Sequence, residues 1–466
     1  MSNLRIHPVL RDIAAVFTAA GKEVYLVGGA VRDLLLGRDS ADWDLSTNAR
    51  PEEVMGLFRK VIATGIKHGT VTIRWKGISL EVTTFRTESA YSDGRRPDQV
   101  RYAATIAEDL SRRDFTMNAA AVRLPDGLLS DPFGGRDDIK RRIIRCVGAA
   151  EERFAEDGLR PLRALRFASQ LGFDLDRATA GAIHGALPTT AKVAPERIRD
   201  ELDKIIASPN PLRAFRLMEE TEMLHLLLPE LAACRGVEQG GYHHFDVLDH
   251  SFLACDWAAK KGFSKEVRLA ALLHDTGKPL VRRKKNPDET PGDSPSGGGA
   301  YTFYNHERES GKLAFEVMSR FRYPNAVTEK VLRLVREHMF HYEENWTDAA
   351  VRRFIIRAGT DLIPELTQLH LADTAGTTGA ESDPAALLPL LDRIEAVLEK
   401  GKAISLKDLA VNGRDLIALG VAPGKYVGII LNELLDAVIE DPALNSREKL
   451  LEIAGNITTR YRKASR

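Results

Sequence analysis

Three acidic residues near the amino end have the type and spacing of a metal site for phosphate chemistry. Asp42 and Asp44 stand two positions apart in SADWDLS, and Glu81 lies inside the apolar run ISLEVTT. Carboxylates at positions i and i+2 of a strand point to the same face. Such a pair can hold two Mg²⁺ ions over the oxygens that attack and leave in phosphoryl transfer. Glu81 is costly in an apolar strand unless it is paired or binds metal, so it is a candidate third acid and base.

A phosphate-binding turn is predicted just before the acidic pair. The segment YLVGGAVRD gives an apolar strand, the paired glycines Gly28 and Gly29, and a helix that carries Arg32. Paired glycines allow close backbone approach, and the N–H groups of a helix start can bind phosphate. Gly-Gly alone or Asp-x-Asp alone is most often only a turn. Their combination in one short stretch is a far more specific signal than either motif alone.

Two arginine-rich segments carry candidate nucleotide contacts. They are SRRDFTMNA, with Arg113 and Asp114, and AEDGLRPLRALRF, with Asp157, Arg160, Arg163 and Arg166. Taken alone, each segment is better explained by helix capping or an intrahelical salt bridge. Asp157 and Arg160 are expected on one helical face, where an acceptor carboxylate and a forked donor can pair with the edge of a base. Arg166 falls nearly opposite on an ideal helix and suits phosphate or RNA contact instead.

Taken in order, these motifs resemble those of the class II nucleotidyltransferases of the polymerase β superfamily, the tRNA CCA-adding enzymes and bacterial poly(A) polymerases. The resemblance implies an α+β fold: a small mixed β-sheet head followed by an elongated all-α neck, body and tail. It also implies a role for each motif residue. Asp42 and Asp44 hold Mg²⁺ with Glu81 as third acid, Gly29 and Arg32 grip the triphosphate, Arg113 and Asp114 seat the nucleotide, and Asp157 and Arg160 select CTP and ATP without a template, with Arg163 on the same surface.

A second constellation of histidines and aspartates lies in the middle of the chain. Its members are His250, His274, Asp275, His306, His338 and Asp373. A single histidine on an apolar face is usually a core residue, but several spaced His and Asp at helix ends suit Mg²⁺ or a transition metal. The order H…HD…D resembles the HD phosphohydrolase superfamily. With His306 and His338 the site has ligands for two divalent metals, so hydrolysis of a phosphoester is a second candidate activity.

Four domains are predicted from composition and motif order. They are a nucleotidyltransferase head at 1–145, a helical neck at 146–210, a helical body with the HD domain at 211–380, and an RNA-binding helical tail at 381–466. Residues 283–300 are low-complexity Pro/Gly/Ser sequence and predict a mobile insertion in the body. In the neck, a Glu-Arg-x-x-x-Glu pattern at 196–201 matches one that stabilises the neck of the family.

Charge and cysteine content narrow the setting of the protein. Lys plus Arg and Asp plus Glu are each 66, so contact with nucleic acid requires local basic patches. Cys146, Cys234 and Cys255 lack metal-ligand spacing and predict buried thiols in a reducing compartment. No apolar run is long enough to span a bilayer, which favours a cytoplasmic protein without membrane contact.

The leading hypothesis is template-independent addition of CCA to the 3′ end of tRNA, with CTP and ATP as substrates. The alternatives are an A-adding enzyme of a split CC/A pair, a poly(A) polymerase, an HD phosphohydrolase whose head only binds RNA, and a catalytically silent RNA-binding scaffold. The sequence predicts no protein partner.

Overall fold

The computed structural model describes residues 6–40, 42–89, 99–285, 300–399 and 406–464. The chain divides into two compact units, residues 1–232 with 317–323, and residues 233–316 with 324–466. A mixed sheet lies in the first unit and helices form most of the rest, which confirms the α+β prediction. Most of the predicted mobile insertion 283–300 lies outside the described residues.

The sheet of the first unit has seven strands in the order β3-β4-β5-β2-β1-β8-β9. β2 and β5 run parallel, and every other neighbouring pair in the sheet is antiparallel. A separate antiparallel pair, β6 and β7, follows β5 in the chain. The strands are β1 Val24–Val27, β2 Asp44–Thr47, β3 Val61–Gly65, β4 Thr70–Trp75, β5 Ile78–Thr84, β6 Arg86–Ser89, β7 Gln99–Tyr102, β8 Ala121–Leu124 and β9 Leu129–Ser130.

One helix closes the core of this sheet. The helices here are α1 Pro8–Ala19, α2 Gly29–Leu35, α3 Pro51–Leu57 and α4 Ile106–Ser111. Apolar residues of α1 recur at helical spacing, so Leu10, Ile13 and Phe17 all face the sheet and are buried with Ile73 and Leu80. Burying each such side chain contributes about 1.5–3 kcal/mol.

The helices that follow the head bring the arginine-rich segments together. They are α5 Gly135–Arg141, α6 Ala150–Glu156, α7 Arg160–Leu171, α8 Arg177–Gly185, α9 Leu187–Thr190, α10 Pro195–Ile206, α11 Pro211–Glu220, α12 Met223–Leu227 and α13 Pro229–Ala232, with the short parallel strands β10 Ile143–Ile144 and β11 Asp174–Leu175. The expectation of Asp157 and Arg160 on one helical face is wrong. Asp157 is extended and ends α6, while Arg160 begins α7. Gly158 between them lies so close to Thr189 that a Cβ would stand 2.4 Å from its carbonyl oxygen.

Among its described residues, the second unit is mainly helical, with one short antiparallel strand pair, β12 Arg283–Lys284 with β13 Tyr301–Thr302. Its helices are α14 Val247–Lys260, α15 Lys265–Leu273, α16 Lys278–Val281, α17 His306–Arg320 as far as Glu316, α18 Asn325–Glu337, α19 Asp348–Ala358, α20 Ile363–Thr378, α21 Leu388–Glu399, α22 Gly413–Ala418, α23 Lys425–Glu440 and α24 Arg447–Ala464. None of the helices in the described part of the chain is long and apolar enough to cross a membrane.

Candidate active site

The three acids of the head meet at the exposed start of β2, a central strand of the sheet. Asp44 is the first residue of β2, and its register partner on parallel β5 is Glu81. Asp42 precedes β2 by two residues, so only one member of the pair lies on the strand itself. Partial loss of hydration, and then the charges of Asp42 and Glu81, raise the pKa of Asp44, while Arg113 opposes them. The carboxylates therefore repel one another, and a divalent cation would relieve that repulsion.

The glycine turn stands directly beside these acids. Gly28 has φ +72° and caps α2, a conformation that favours glycine. A Cβ at Gly28 would lie 3.0 Å from Arg113 Nη1 and 3.6 Å from Asp44 Oδ2, and one at Gly29 would lie 3.5 Å from Arg32 Nη2. The structure thus brings two guanidinium groups and a carboxylate around bare backbone.

Asp114 is the buried centre of the contact between the RRDF segment and α7. Arg163 donates from Nε and Nη2 to Asp114 Oδ2, at 2.9 and 2.6 Å. Burial alone would raise the pKa of Asp114, but Arg163, with help from Arg160 and Asn118, lowers it to about 2. Asp114 is therefore ionised at neutral pH and fixes the position of Arg163.

Asp157 and Arg160 both have protein partners in this structure. Asp157 accepts from the backbone N–H of Leu159 at 3.0 Å and from Arg197 Nη2 at 2.8 Å. Arg160 is buried and donates to Glu156 at 2.6 Å and to the Arg112 carbonyl at 3.0 Å. A base that contacted these two side chains would have to share or replace those bonds.

Arg166 lies away from Asp157 and forms a buried ion pair with Glu201, with Nε 2.8 Å from Oε2. Burial lowers the pKa of Arg166 to about 10 although Glu201 opposes the shift. Its guanidinium also lies over the Phe167 ring, 4.1 Å from the centroid. Glu201 closes the Glu-Arg-x-x-x-Glu pattern, and Arg197 of the same pattern holds Asp157, so this pattern anchors α7 from both sides.

The second constellation forms one buried cluster in the second unit. His250 Nε2 and His274 Nε2 are 3.1 Å apart, and both lie 3.3 Å from Asp275 Oδ2. His306 Nε2 and His338 Nε2 are 3.3 Å apart and lie 3.1 and 3.8 Å from Asp275 Oδ1. Asp275 therefore presents one oxygen to each histidine pair.

Asp373 and three backbone carbonyls orient the histidine rings so that their Nε2 atoms can bind a metal. Asp373 Oδ1 lies 3.1 Å from His250 Nε2 and 3.5 Å from His274 Nε2. The Nδ1 atoms of three histidines face backbone carbonyls, which can only accept, so each Nδ1 carries the proton and directs Nε2 inward. These contacts are His274 to Ala271 at 2.9 Å, His306 to Phe303 at 2.8 Å and His338 to Val335 at 2.7 Å. The donor set suits a divalent metal.

Family models match three segments of the chain, and relatives match nearly its full length. Residues 24–145 match the poly A polymerase head domain, 172–235 the RNA and SrmB-binding site of polymerase A, and 307–454 the tRNA nucleotidyltransferase domain 2. The CCA-adding enzyme of Lactobacillus johnsonii is 34% identical over 445 residues, 96% of this chain and 95% of the relative. That of Lactobacillus helveticus is 37% identical over 452 residues, 96% of each. The chain belongs to the CCA-adding enzyme family.

A crystal structure of the CCA-adding enzyme of Bacillus stearothermophilus in complex with CTP has the same fold, with a TM-score of 0.71 and 30% identity over 98% of this chain and 100% of that one. The membership confirms the nucleotidyltransferase class that the head motifs predicted. Among the described residues, the groups of three whose ligand atoms lie within 4.8 Å of one another all come from the buried His/Asp cluster. This CCA-adding enzyme family member thus has a candidate metal centre besides its head.

Three further residues are buried and contact the predicted site residues: Asn118, Phe167 and Lys278. Asn118 belongs to the RRDFTMNA motif, whereas Phe167 and Lys278 were not predicted as site residues. Lys278 Nζ lies 2.6 Å from Asp275 Oδ2 and donates to Gln239 Oε1. Lys278 follows the His-Asp pair within one turn, which is the one cue that the sequence offered. The prediction of buried thiols is confirmed for all three cysteines.

Proposed function

We propose that this protein transfers CMP from CTP and AMP from ATP to the 3′ end of tRNA without a template, releasing pyrophosphate. The observation that carries the proposal is the meeting of three carboxylates with Gly28 and Arg113 at the exposed start of β2. The family membership supports it, because the full-length relatives are CCA-adding enzymes. Because these relatives match nearly the full chain, the comparison does not favour a poly(A) polymerase, a lone A-adding enzyme or an inactive scaffold.

In the proposed reaction, the RNA 3′-hydroxyl attacks the α-phosphate, one P–O bond forms, and the bond to pyrophosphate breaks. Asp42 and Asp44 would hold Mg²⁺, which lowers the pKa of the hydroxyl and neutralises developing charge when bound. Glu81, beside Asp44, accepts the proton of the hydroxyl. Arg32 and Arg113 neutralise the triphosphate, and the bare backbone at Gly29 lets it approach.

Base selection is assigned to the start of α7. Asp157 supplies an acceptor and Arg160 a forked donor, and both cytosine and adenine present an amino group beside a ring nitrogen. Arg163 and Asp114 fix the adjoining surface, and Arg166 stabilises α7 through Glu201. For CTP to bind in this way, Asp157 must release or share the bond that it accepts from Arg197.

A second activity, hydrolysis of a phosphoester, is supported by the His/Asp cluster. Four Nε2 atoms and two carboxylates converge in a buried site, and Asp275 offers one oxygen to each histidine pair. His250, His274, Asp275 and Asp373 would hold one divalent ion, and Asp275, His306 and His338 a second. Such ions, when bound, supply a hydroxide nucleophile at neutral pH.

The four-domain division and the placement of RNA on the helical tail belong to the same proposal. The tail turn before α23 contains Gly424, and its backbone N–H groups can donate to phosphates. The matched segments 172–235 and 307–454 are consistent with RNA binding by the helical part.

The test uses purified full-length protein and tRNA transcripts that end at the discriminator base, after one C, and after CC. With CTP alone, the first two should gain C residues only as far as CC, and ATP should then add one A. An Asp44→Asn variant is the control for the head, and Asp275→Asn should leave addition intact. Extension of the CC-ended transcript alone would instead identify an A-adding enzyme.

A further inference from the structure

A continuous polar chain links α7 to α2 through the turn that follows the RRDF segment. Arg163 of α7 donates to Asp114 Oδ2, and Asn118 Nδ2 donates to Asp114 Oδ1 at 3.2 Å. Arg32 of α2 then donates from Nη1 to Asn118 Oδ1 at 3.1 Å. Three hydrogen-bonded contacts thus join the helix assigned to the base with the guanidinium assigned to the triphosphate.

The chemistry of the chain requires an amide at position 118. The Asp114 carboxylate only accepts hydrogen bonds and the Arg32 guanidinium only donates them. An asparagine side chain offers one donor group and one acceptor, so it can join the two. Asn118 is 6% exposed, and water therefore competes little for either bond.

A second contact runs parallel to the first. The Phe167 ring of α7 lies 5.4 Å from Arg32 Cζ and 5.6 Å from Arg163 Cζ, centroid to carbon. The two arginines at the ends of the polar chain therefore also share one aromatic face. Arg32 is restrained further by Asp33, which accepts from its Nε and Nη2 at 2.9 and 2.8 Å.

We propose that Asn118 is a positioning residue that couples reading of the base at α7 to the grip of Arg32 on the triphosphate. The inference rests on the proposed function. When the base fits α7, Arg163 and Asp114 hold Asn118, and Asn118 holds Arg32 where it stabilises the departing pyrophosphate. A base that does not fit displaces Arg163, and the displacement reaches Arg32. A wrong nucleotide then loses kcat as well as affinity.

The test compares kcat and KM for CTP and UTP on a tRNA transcript ending at the discriminator base. Asn118→Leu is close in size and removes both hydrogen bonds, while Asn118→Asp keeps the acceptor for Arg32 but sets a second carboxylate against Asp114. We expect the CTP-to-UTP ratio of kcat to fall about tenfold in both variants, as typical for neighbours in one network. The corresponding ratio of KM should change little.

Thr116→Val is the matched control. Thr116 lies in the same short turn, is equally buried, and donates to Asp138 Oδ2 at 2.7 Å without touching Arg32 or Asp114. It should lower the unfolding temperature while leaving the kcat ratio of CTP to UTP unchanged. A drop in that ratio at Thr116→Val equal to the drop at Asn118→Leu would show that the turn acts only through stability.

A second route keeps the proposal testable if Asn118→Leu folds poorly. Arg163→Lys retains charge but loses the paired donation to Asp114, so it should show the same fall in the kcat ratio. Combined with Asn118→Asp, it should add no further loss. If the variants slow CTP and UTP in equal proportion, or if the two losses multiply, the inference is overturned. Failure of the unmodified protein to add C would instead refute the proposed function itself.

Discussion

The acids of the head and the His/Asp cluster of the second unit are two candidate metal sites with opposite construction. Asp42, Asp44 and Glu81 are exposed, offer only oxygen, and repel one another enough to raise the pKa of Asp44. In the His/Asp cluster, nitrogen and oxygen ligands are buried and already converge. The first site is incomplete without its substrate, and the second is complete in the protein alone.

This difference matches the ions that the two sites suit. Mg²⁺ keeps several waters and is held by one or two carboxylates together with substrate phosphates, so an open edge beside a triphosphate site is sufficient. Imidazole ligands suit transition metals, which bind dedicated sites of three or four protein ligands. The comparison predicts that the head binds its ion weakly without nucleotide and that the cluster binds its ions tightly at all times.

The largest effect that would separate the two sites is expected from Asp44→Asn. Loss of a metal carboxylate should reduce C addition about a thousandfold or more, because the charge of the transition state is no longer neutralised. Gel analysis of tRNA extension with CTP measures the loss. Hydrolysis of bis(p-nitrophenyl) phosphate by the same protein should be unchanged. Parallel loss of both activities would mean that the head and the cluster are not independent sites.

Asp275→Asn should produce the converse result. Because Asp275 reaches both histidine pairs, its loss should remove both ions and lower phosphodiester hydrolysis at least about a hundredfold, while C addition persists. Asp373→Asn is the matched control, since Asp373 forms its ion pairs with His250 and His274 of the cluster, at 3.1 and 3.5 Å. Elemental analysis should give two metals per chain for the unmodified protein, one for Asp373→Asn and none for Asp275→Asn. Equal metal content in all three would contradict the cluster as a metal centre.

The sequence predicted which residues form these sites better than it predicted the contacts between them. The mixed sheet followed from the family resemblance of the motifs, and the Gly-Gly pair predicted the turn before Asp42, because turn chemistry is local. The break between α6 and α7 depends on the approach of the distant Thr189 carbonyl to Gly158, so the sequence predicted one helical face there instead. The contacts of Asn118 with Arg32 and of Arg197 with Asp157 likewise join segments far apart in the chain. No spacing rule reports such contacts.

Gly28→Ala tests how closely the head site surrounds the backbone. Gly28 and Gly37 flank α2 with φ of +72° and +71°, so alanine strains the backbone at each, and more at Gly28, whose ψ of −139° lies outside the left-handed helical region. Only at Gly28 does the new Cβ meet the site, 3.0 Å from Arg113 Nη1, whereas nothing lies within 4 Å at Gly37. We expect kcat/KM for CTP to fall between about tenfold and a hundredfold at Gly28→Ala. Gly37→Ala should retain its kcat/KM for CTP when it is assayed well below its unfolding temperature. Equal losses of kcat/KM in the two variants would refute the close approach of Arg113 and Asp44 to the Gly28 backbone.

The smallest expected effect concerns protons released when metal enters the cluster. Burial opposes the charge on His274, but Asp275 and Asp373 overcome it and raise its pKa to about 10. Because His274 Nδ1 donates to the Ala271 carbonyl, the extra proton is on Nε2, the ligand atom. His338, whose pKa burial and the neighbouring histidines lower to about 3, is already neutral.

Between about pH 4 and pH 9, a metal must therefore displace about one proton from His274 and none from His338. Apparent affinity should rise about tenfold per pH unit between pH 7 and 9 and level off above pH 10. Calorimetric titration with Mn²⁺ in two buffers of different ionisation enthalpy counts the released proton. Asp373→Asn removes one of the two carboxylates that raise the pKa of His274, so the Mn²⁺ affinity of this variant should depend less on pH near pH 8. If the Mn²⁺ affinity of the unmodified protein does not change with pH, the cluster binds metal without losing a proton from His274. The prediction of tight metal binding would then depend only on the convergence of the ligand atoms.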